Sequence, residues 1–378
     1  NAFTSTINNN TMDVYQDGIR AENGSFLTIN YNEIINFEEN GINFYSSENS
    51  VVNYNRIIGN SFNGGWKRGI GNTDWHQQAT VQYNYLEVID STGGGAVTGL
   101  EVNGGVIAFD TLLVYSINGC CDGQTYGIRA HESVIENNYI HYIGQDCGCY
   151  DNWSAIQSDG SNSNRSIIKN NVIDFETSGL WFSSILDVSF ADIENNQIVG
   201  VSNDYTSTYL IRSGDENVIR NNTLSGAYGI ELGNDNLVDS NSVDVSTGYA
   251  IYGGASGTHV ITHNYINKTG GGERLLYITN SDSAFVLNNN FQSNSGDGFY
   301  FNNTYVDARY NLLTTPGRGI HCENQVGGEI SNNTMIANSS GDYGIHISNL
   351  SAPVVRNNII QGFQNGIYAD NSLVNYAL

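Results

Sequence analysis

One short phrase recurs along the whole chain and limits what the chain can fold into. The phrase is apolar-x-x-Asn-x-apolar, as in Val52 to Ile57 and Ile135 to Ile140. Its fourth position is Asn in 14 of 15 occurrences and Asp in the other, with a mean spacing of about 25 residues. A fixed period of this length is the signature of a repeat architecture. The positions are Asn10, Asn32, Asn55, Asn84, Asp110, Asn138, Asn171, Asn196, Asn222, Asn241, Asn264, Asn290, Asn311, Asn333 and Asn358.

A second phrase, Gly followed by an apolar residue, comes eight or nine residues after many of these positions. Gly18-Ile19, Gly127-Ile128 and Gly344-Ile345 are examples. Around both phrases apolar and polar residues alternate, which is the period of a half-buried strand. Two or three short strands per repeat, with Gly and Asn at the corners, predict one coil of a β-solenoid.

The chain is therefore predicted to be all-β, a parallel β-helix of about 15 to 16 coils with about 25 residues per coil. Stacked Asn side chains would form a hydrogen-bonded ladder, as identical amides do when strands stack in register. At a tight corner an Asn can also adopt a left-handed backbone. We assign residues 1–378 to a single β-helix domain, either a segment of a longer chain or an assembling subunit.

The Val/Ile-x-x-Asn-x-Ile and Gly-Ile phrases resemble those of the right-handed parallel β-helix repeat superfamily. The resemblance runs from about residue 5 to the end of the chain. That superfamily includes pectate-lyase-like lyases, polygalacturonase-like hydrolases, alginate C5-epimerases, tailspikes and surface adhesins. The resemblance implies the fold, whereas function on a repeat fold depends on the loops that it carries.

Composition excludes several classes of protein. The formal net charge is −24, which argues against nucleic-acid or anionic-membrane binding. Charged residues make up only 14% of the chain and aromatic residues 11%, so the chain does not have the composition of a disordered protein. No apolar stretch is long enough to span a membrane.

Coil lengths are greatest between Asn55 and Asn171, so the longest loops are expected at 59–78, 118–126 and 144–155. The four Trp residues lie in or beside this window, and indole faces stack on sugar rings. The alternative is that they plug loops onto the solenoid. The predicted carbohydrate-binding residues are Trp66, Trp75, Trp153 and Trp181.

Candidate catalytic residues are few. The chain has only three Lys for lyase chemistry and no paired Asp residues for hydrolysis. The stretch Tyr126 to His131 resembles the Tyr-Gly-Phe-Asp-Pro-His stretch of alginate C5-epimerases, which would make Tyr126 and His131 catalytic. Arg129 and Ala130 depart from that pattern. The candidates are Lys67, Arg68, His76, Tyr126 and His131.

The cysteines predict cross-links. Cys120 and Cys121 follow Asp110 by about the same distance as Cys147 and Cys149 follow Asn138, which places the pairs at one corner of adjacent coils. Coil spacing suits two disulfides, which form outside the cytoplasm. A four-thiolate zinc site is the alternative. Cys322, aligned with Ile347, is expected to be a buried free thiol.

No cofactor is implied. Carboxylates and backbone carbonyls can bind Ca²⁺, but no calcium motif places such a site. Ten Asn-X-Ser/Thr sequons are candidate glycosylation sites. They are Asn9, Asn23, Asn152, Asn164, Asn221, Asn267, Asn302, Asn332, Asn338 and Asn349.

Together these features favour an extracellular or cell-surface structural or adhesive protein, of the kind found in fibres, surface layers and adhesins. The expected partners are a polysaccharide or cell-surface glycan, flanking domains, and other copies that stack on open β-helix ends into a filament. The alternative is a carbohydrate-active enzyme or glycan receptor, such as a polysaccharide lyase, epimerase or glycoside hydrolase, that acts through the Trp-rich loops.

Overall fold

The computed structural model describes residues 4–23, 26–61, 66–72, 78–90, 96–119, 124–146, 153–178, 182–202, 207–272 and 274–370. The chain divides into two compact units, Asn1–Thr208 and Tyr209–Leu378. Within the described ranges every regular element is a β-strand and none is a helix, which confirms the all-β prediction.

The first unit is built from short strands that pair only in parallel with strands of the neighbouring coils. Its strands are β1 (Ser5–Asn8), β2 (Thr11–Asp13), β3 (Asp17–Glu22), β4 (Leu27–Asn30), β5 (Glu33–Ile35), β6 (Asn40–Tyr45), β7 (Val51–Asn53), β8 (Arg56–Ser61), β9 (Lys67–Asn72), β10 (Ala79–Gln82), β11 (Tyr85–Asp90), β12 (Val97–Ala108), β13 (Thr111–Gly119), β14 (Thr125–Glu136), β15 (Tyr139–Asp146), β16 (Trp153–Asp159), β17 (Ser166–Lys169), β18 (Val172–Ser178), β19 (Phe182–Ser189), β20 (Ala191–Glu194) and β21 (Gln197–Ser202).

The second unit begins within β22 (Ser207–Ser213) and repeats the same parallel pattern. It continues with β23 (Val218–Arg220), β24 (Thr223–Gly226), β25 (Tyr228–Leu232), β26 (Leu237–Asp239), β27 (Ser242–Val245), β28 (Ile251–Gly253), β29 (Thr258–Thr262), β30 (Tyr265–Lys268), β31 (Leu276–Thr279), β32 (Ser283–Leu287), β33 (Asn290–Ser293), β34 (Phe299–Asn302), β35 (Tyr305–Arg309), β36 (Leu312–Thr315), β37 (Ile320–Glu323), β38 (Gly327–Ser331), β39 (Thr334–Ser348), β40 (Val354–Arg356) and β41 (Ile359–Asp370).

Three strands per coil give three parallel sheets in each unit. In the third sheet of the first unit, β6, β9, β12, β14 and β16 lie side by side in coil order. β12 and β14 are long because each continues past a corner into the first strand of the next coil. The third sheet carries the candidate site described below.

Aliphatic side chains fill the interior as ladders, because the register places equivalent residues of successive coils directly above one another. Ile29 pairs with Val52, and Val52 pairs with Val81. In the second unit Val238 pairs with Ile261. All five of these side chains are fully buried. The predicted solenoid core is therefore confirmed.

The Asn ladder is present at the first corner of the coils. Asn55 donates from its backbone N–H and its Nδ2 to Oδ1 of Asn84, at 2.9 and 3.0 Å, and its Nδ2 also donates to the Ile29 carbonyl at 2.8 Å. In the second unit the residue between Asn264 and Asn311 is Asn289. The predicted position, Asn290, was wrong by one residue.

The left-handed backbone lies one residue before the ladder Asn. Tyr54 has φ 56° and precedes Asn55, and Asn170 has φ 56° and precedes Asn171. The expectation that the ladder Asn itself takes this conformation was wrong. Hydrogen bonds to the adjacent coils fix the side chain of the ladder Asn. The left-handed turn is therefore made by the exposed residue that precedes it.

Candidate functional site

A cleft of about 440 Å³ opens beside the third sheet of the first unit. The residues just before β6 and β9 form one part of it, and the register there pairs Asn40 with Arg68 and Arg68 with Thr98. Trp66 stands at the cleft with 67% of its surface exposed. The lining residues are Glu38, Glu39, Asn40, Trp66, Lys67, Arg68 and Thr98.

Lys67 lies at this cleft, but its ammonium group is not on the surface. Its side chain is 0% exposed, and Nζ lies 3.5 Å from Oδ1 of Asp90, whose side chain is 1% exposed. Burial lowers the pKa of Lys67, while the charges of Asp90 and Glu38 act in the opposite direction. A ligand in the cleft therefore meets Trp66 and Arg68 rather than the Lys67 amine.

Glu101 links two arginines on the outer face of the sheet. Arg68 Nη2 lies 2.5 Å from Glu101 Oε2, and Arg129 Nη1 lies 3.5 Å from Glu101 Oε1. The register places Glu101 of β12 directly beside Arg129 of β14. Both guanidinium groups thus already have a carboxylate partner within the protein.

Tyr126, Arg129 and His131 follow one another along β14. The guanidinium of Arg129 lies over the Tyr126 ring, 5.4 Å from its centroid, and Tyr126 is only 2% exposed. Burial raises the pKa of Tyr126 to about 12, so its phenol remains protonated at neutral pH and is a weaker acid than an exposed tyrosine.

His131 pairs in register with Asp159 of β16. Burial raises the pKa of Asp159, and the charges of His131 and Arg129 oppose that shift. The arrangement brings an acid, an imidazole and a guanidinium onto one face, which is the kind of set that proton-transfer chemistry uses.

The structure places four of the five predicted catalytic candidates on two strands of the third sheet. Lys67 and Arg68 lie on β9, and Tyr126 and His131 lie on β14, with β12 between these strands. His76 lies outside the described residues.

The predicted Trp platforms differ in their surroundings. Trp153 is 2% exposed and its ring packs edge-on against Tyr142, so it is a core residue with no face free for a sugar. Only Trp66 of the described pair can serve as a platform. Trp75 and Trp181 lie outside the described residues.

The sequence analysis did not identify Glu101 or Asp159 as site residues. Aligning the Gly-apolar phrases of successive coils would have placed Glu101 beside Arg129. Glu101 follows Gly99 by two residues, as Arg129 follows Gly127, and the stacked coils bring those equivalent positions together.

The second unit carries an aromatic surface of its own. Its rings stack along successive coils, as Tyr277 on Tyr300 at 4.9 Å and His321 on His346 at 4.4 Å. Arg274 covers Tyr300, with Cζ 3.9 Å from the ring centroid. Tyr277 stacks on both Tyr249 and Tyr300, so ring edges are left there, and edges do not suit sugar stacking. Its members include Tyr249, Tyr252, Tyr277, Tyr300, His321, His346, Tyr343 and Tyr368.

The strands that precede the predicted cysteine pairs lie side by side. Gly119 of β13 pairs with Asp146 of β15, the residues directly before Cys120 and Cys147. Cys120, Cys121, Cys147 and Cys149 themselves lie outside the described residues, so the disulfides stay a prediction. Cys322 is a buried free thiol that pairs in register with Ile347, as predicted, and burial raises its pKa.

None of the described sequon asparagines is buried, and Asn152 lies outside the described residues. Five of them already donate a hydrogen bond from Nδ2, as when Asn164 Nδ2 donates to Glu132 at 2.9 Å and Asn349 Nδ2 donates to Glu323 at 2.9 Å. Glycosylation stays a prediction for this set.

Within the described part of the chain, no group of three or more His, Cys, Asp or Glu side chains is arranged to hold a metal ion. In the same part, no helix has the length and apolar character that crossing a membrane requires.

Comparisons with known proteins address the fold. Residues 208–376 match the family model described as "Right handed beta helix region". A search of curated proteins found no match.

Three solved structures are similar at low identity. The A-module of the mannuronan C-5 epimerase AlgE4 of Azotobacter vinelandii is 12% identical, with 99% of this chain and 91% of that chain covered and a TM-score of 0.29. The surface protein and adhesin PfbA of Streptococcus pneumoniae is 11% identical, with 97% and 91% covered and a TM-score of 0.27. Another crystal structure of PfbA is 12% identical, with 97% and 85% covered and a TM-score of 0.30.

The matched family region and the three parallel strands of each coil agree with the resemblance that the repeat phrases indicate. The chain has the fold of a right-handed parallel β-helix, and its residues 208–376 match the model of that family.

Proposed function

We propose that this protein is an extracellular or cell-surface β-helix protein that binds polysaccharide at the Trp66 cleft. The observation that carries the proposal is the exposed indole of Trp66 beside a cleft lined by Glu38, Glu39, Asn40 and Arg68. An aromatic face with a few polar groups around it is the usual composition of a sugar site.

The charges around the cleft favour a neutral glycan. Glu38 and Glu39 contribute two carboxylates, while Lys67 is paired with Asp90 and Arg68 with Glu101. No positive charge at the described cleft is left uncompensated for a uronate carboxylate. A polyanion would also meet the repulsion of a chain with net charge −24.

The proposed location depends on the sequence. Few charged residues, abundant Asn and Ser, ten sequons and four clustered cysteines suit an exported chain.

The test is a glycan array that contains both neutral and uronate polysaccharides, followed by calorimetry with the best ligand. Trp66→Ala should abolish binding, and Trp66→Phe should retain part of it, because a smaller ring still offers a face. Tyr310→Ala is the matched control, since Tyr310 is also an exposed ring but lies in the second unit. Undiminished binding by Trp66→Ala would overturn the proposal.

A second candidate function is chemistry on uronates at Tyr126. It is favoured by the placement of Tyr126 and His131 on β14, with Asp159 beside His131. Incubation with polymannuronate or pectate in D₂O, followed by NMR, would detect deuterium uptake at C5 or an unsaturated product. Activity that is lost in both Tyr126→Phe and His131→Gln would support this candidate. A complete lack of exchange and cleavage would remove it.

A further inference from the structure

Among the ion pairs of the described residues, Lys67 and Asp90 have the least solvent-exposed side chains. Their side chains are 0% and 1% exposed, and Nζ lies 3.5 Å from Oδ1. Lys67 is the first residue of β9, whereas Asp90 is the last residue of β11, one coil further along the chain. The contact therefore joins two successive coils beneath the Trp66 cleft.

A buried pair of full charges loses the solvation of both ions, and the mutual attraction repays that loss only with good geometry and further hydrogen bonds. Nζ lies 3.5 Å from Oδ1, which is long for a charge-assisted hydrogen bond, and no described residue provides it with a hydrogen-bond partner. Burial lowers the pKa of Lys67 and so favours the free amine. Transfer of one proton from Lys67 to Asp90 gives a neutral amine beside a neutral carboxylic acid.

An amine beside a carboxylic acid can condense when water is excluded. We propose that Lys67 Nζ and Asp90 Cγ become joined by an amide bond that forms spontaneously in the folded protein. This intramolecular isopeptide cross-link is independent of the proposed glycan binding.

The reaction balances without an oxidant or a cofactor. The lone pair of Nζ attacks Cγ, and a C–N bond forms as the carbonyl electrons move to oxygen. The C–OH bond then breaks, and the hydroxyl leaves as water with a proton that originates from the amine. The Glu38 carboxylate, whose charge acts on Lys67, can relay that proton.

Two features of the site favour the step. The fold holds Nζ 3.5 Å from an oxygen of the Asp90 carboxyl group, and fixed proximity of this kind gives intramolecular reactions their large effective molarity. A desolvated lysine is also an activated nucleophile. The product amide is uncharged, so its formation removes two buried charges.

A second pair in the same unit serves as an internal control. Lys169 Nζ lies 2.9 Å from Glu136 Oε2, closer than in the Lys67 pair, but these side chains are 37% and 24% exposed. Water solvates both ions there, as in an ordinary surface ion pair. The proposal therefore predicts a bond at Lys67 and none at Lys169.

The test is intact-mass spectrometry of the full chain, made in a host that does not glycosylate and measured after disulfide reduction. The wild-type protein and Lys169→Arg should be lighter than their sequence masses by one water molecule. Lys67→Arg should have its full sequence mass. Tandem spectra of a tryptic digest should contain a branched peptide that joins residues 57–68 to residues 69–129 through Lys67 and Asp90.

Asp90→Asn gives the sharpest comparison. Its condensation with Lys67 releases ammonia instead of water, so the product is chemically identical to the wild-type product and both should have the same mass. Cyclisation of an Asn-Gly or Asp-Gly sequence elsewhere would not give this convergence.

A wild-type chain at its full sequence mass would overturn the proposal. So would a loss of water that persists in Lys67→Arg. The branched peptide is sought in the wild-type protein, so the test does not depend on the folding of a variant.

Discussion

Asp110 is the only carboxylic acid in the Asn ladder, and its replacement by Asn tests how that ladder stabilises the first unit. Asn84 and Asn138, its neighbours, each donate from Nδ2 to a backbone carbonyl of the preceding coil, at 2.8 and 3.0 Å. Each Nδ2 also donates to the next ladder residue, at 2.9 and 3.0 Å. At Asp110 the equivalent atom is Oδ2, which is buried and has no hydrogen-bond partner.

Burial raises the pKa of Asp110 well above its ordinary value, although the hydrogen bonds from Asn84 oppose the shift. Folding therefore favours the protonated acid. The stability that this group contributes is fully present below its unfolded pKa of about 3.9 and is lost as pH rises through the higher folded value.

Asp110→Asn should stabilise the protein at pH 8. The new Nδ2 can make the two ladder hydrogen bonds, which contribute about 0.5–1.5 kcal/mol each. The change also removes a buried acceptor without a partner, a cost of about 1–3 kcal/mol. These contributions overlap, and we expect a gain of about 2–4 kcal/mol at pH 8 and a clearly smaller gain at pH 4.

The assay is urea unfolding of wild type and Asp110→Asn at both pH values, with the midpoint of the first unit's transition as the readout. The mirror variant Asn171→Asp, at an ordinary ladder position, should lose stability at pH 8. An Asp110→Asn midpoint that is unchanged at pH 8, or that rises equally at both pH values, would refute the reasoning.

Four other predictions follow from specific contacts. A Cβ at Gly99 would lie 2.6 Å from the Gly127 carbonyl oxygen, so Gly99→Ala should lower the unfolding midpoint, whereas Gly272→Ala, with no atom within 4 Å, should not. Cys322→Ser should cost about 1–3 kcal/mol in chemical denaturation and more than Cys322→Ala, since it buries a hydroxyl in an apolar site. Burial lowers the pKa of His321 to about 3, so stability should fall as pH drops from about 6.5 toward 3, and His321→Gln should flatten that dependence in acid-unfolding curves. Non-reducing peptide mapping should find Cys120 and Cys121 each linked to Cys147 or Cys149. Four free thiols or stoichiometric zinc would contradict this.

The repeat in the sequence is enough to predict the architecture, because the residues that mark the repeat also make the contacts between coils. Asn55 occupies the Asn position of the repeat phrase, and its side chain donates a hydrogen bond to Asn84 in the next coil. Ile29 and Val52 alternate with polar residues and also pair across coils. In a solenoid the nearest neighbours in space lie one period away, so periodicity predicts the coil, the core and the ladder.

The candidate site could be predicted only in part. The cleft borders the Trp-rich window, and Trp66 is exposed there. Trp153 carried the same signal but is buried against Tyr142, because its position at the start of β16 places it within the coil. A residue type in a loop indicates what a side chain can do, while only its packing decides whether it reaches solvent.

Which charged side chains are in contact could be learned only from the three-dimensional structure. The repeat does not distinguish Lys67 from Lys169. In the structure Lys67 is buried beside Asp90, whereas Lys169 is partly exposed to water beside Glu136. Glu101 contacts Arg68 and Arg129 because the coils stack in register. On this face the residue at the equivalent position differs from coil to coil. Such contacts connect positions that are not constrained by the core, so they follow from the three-dimensional register of the coils and not from the repeat itself.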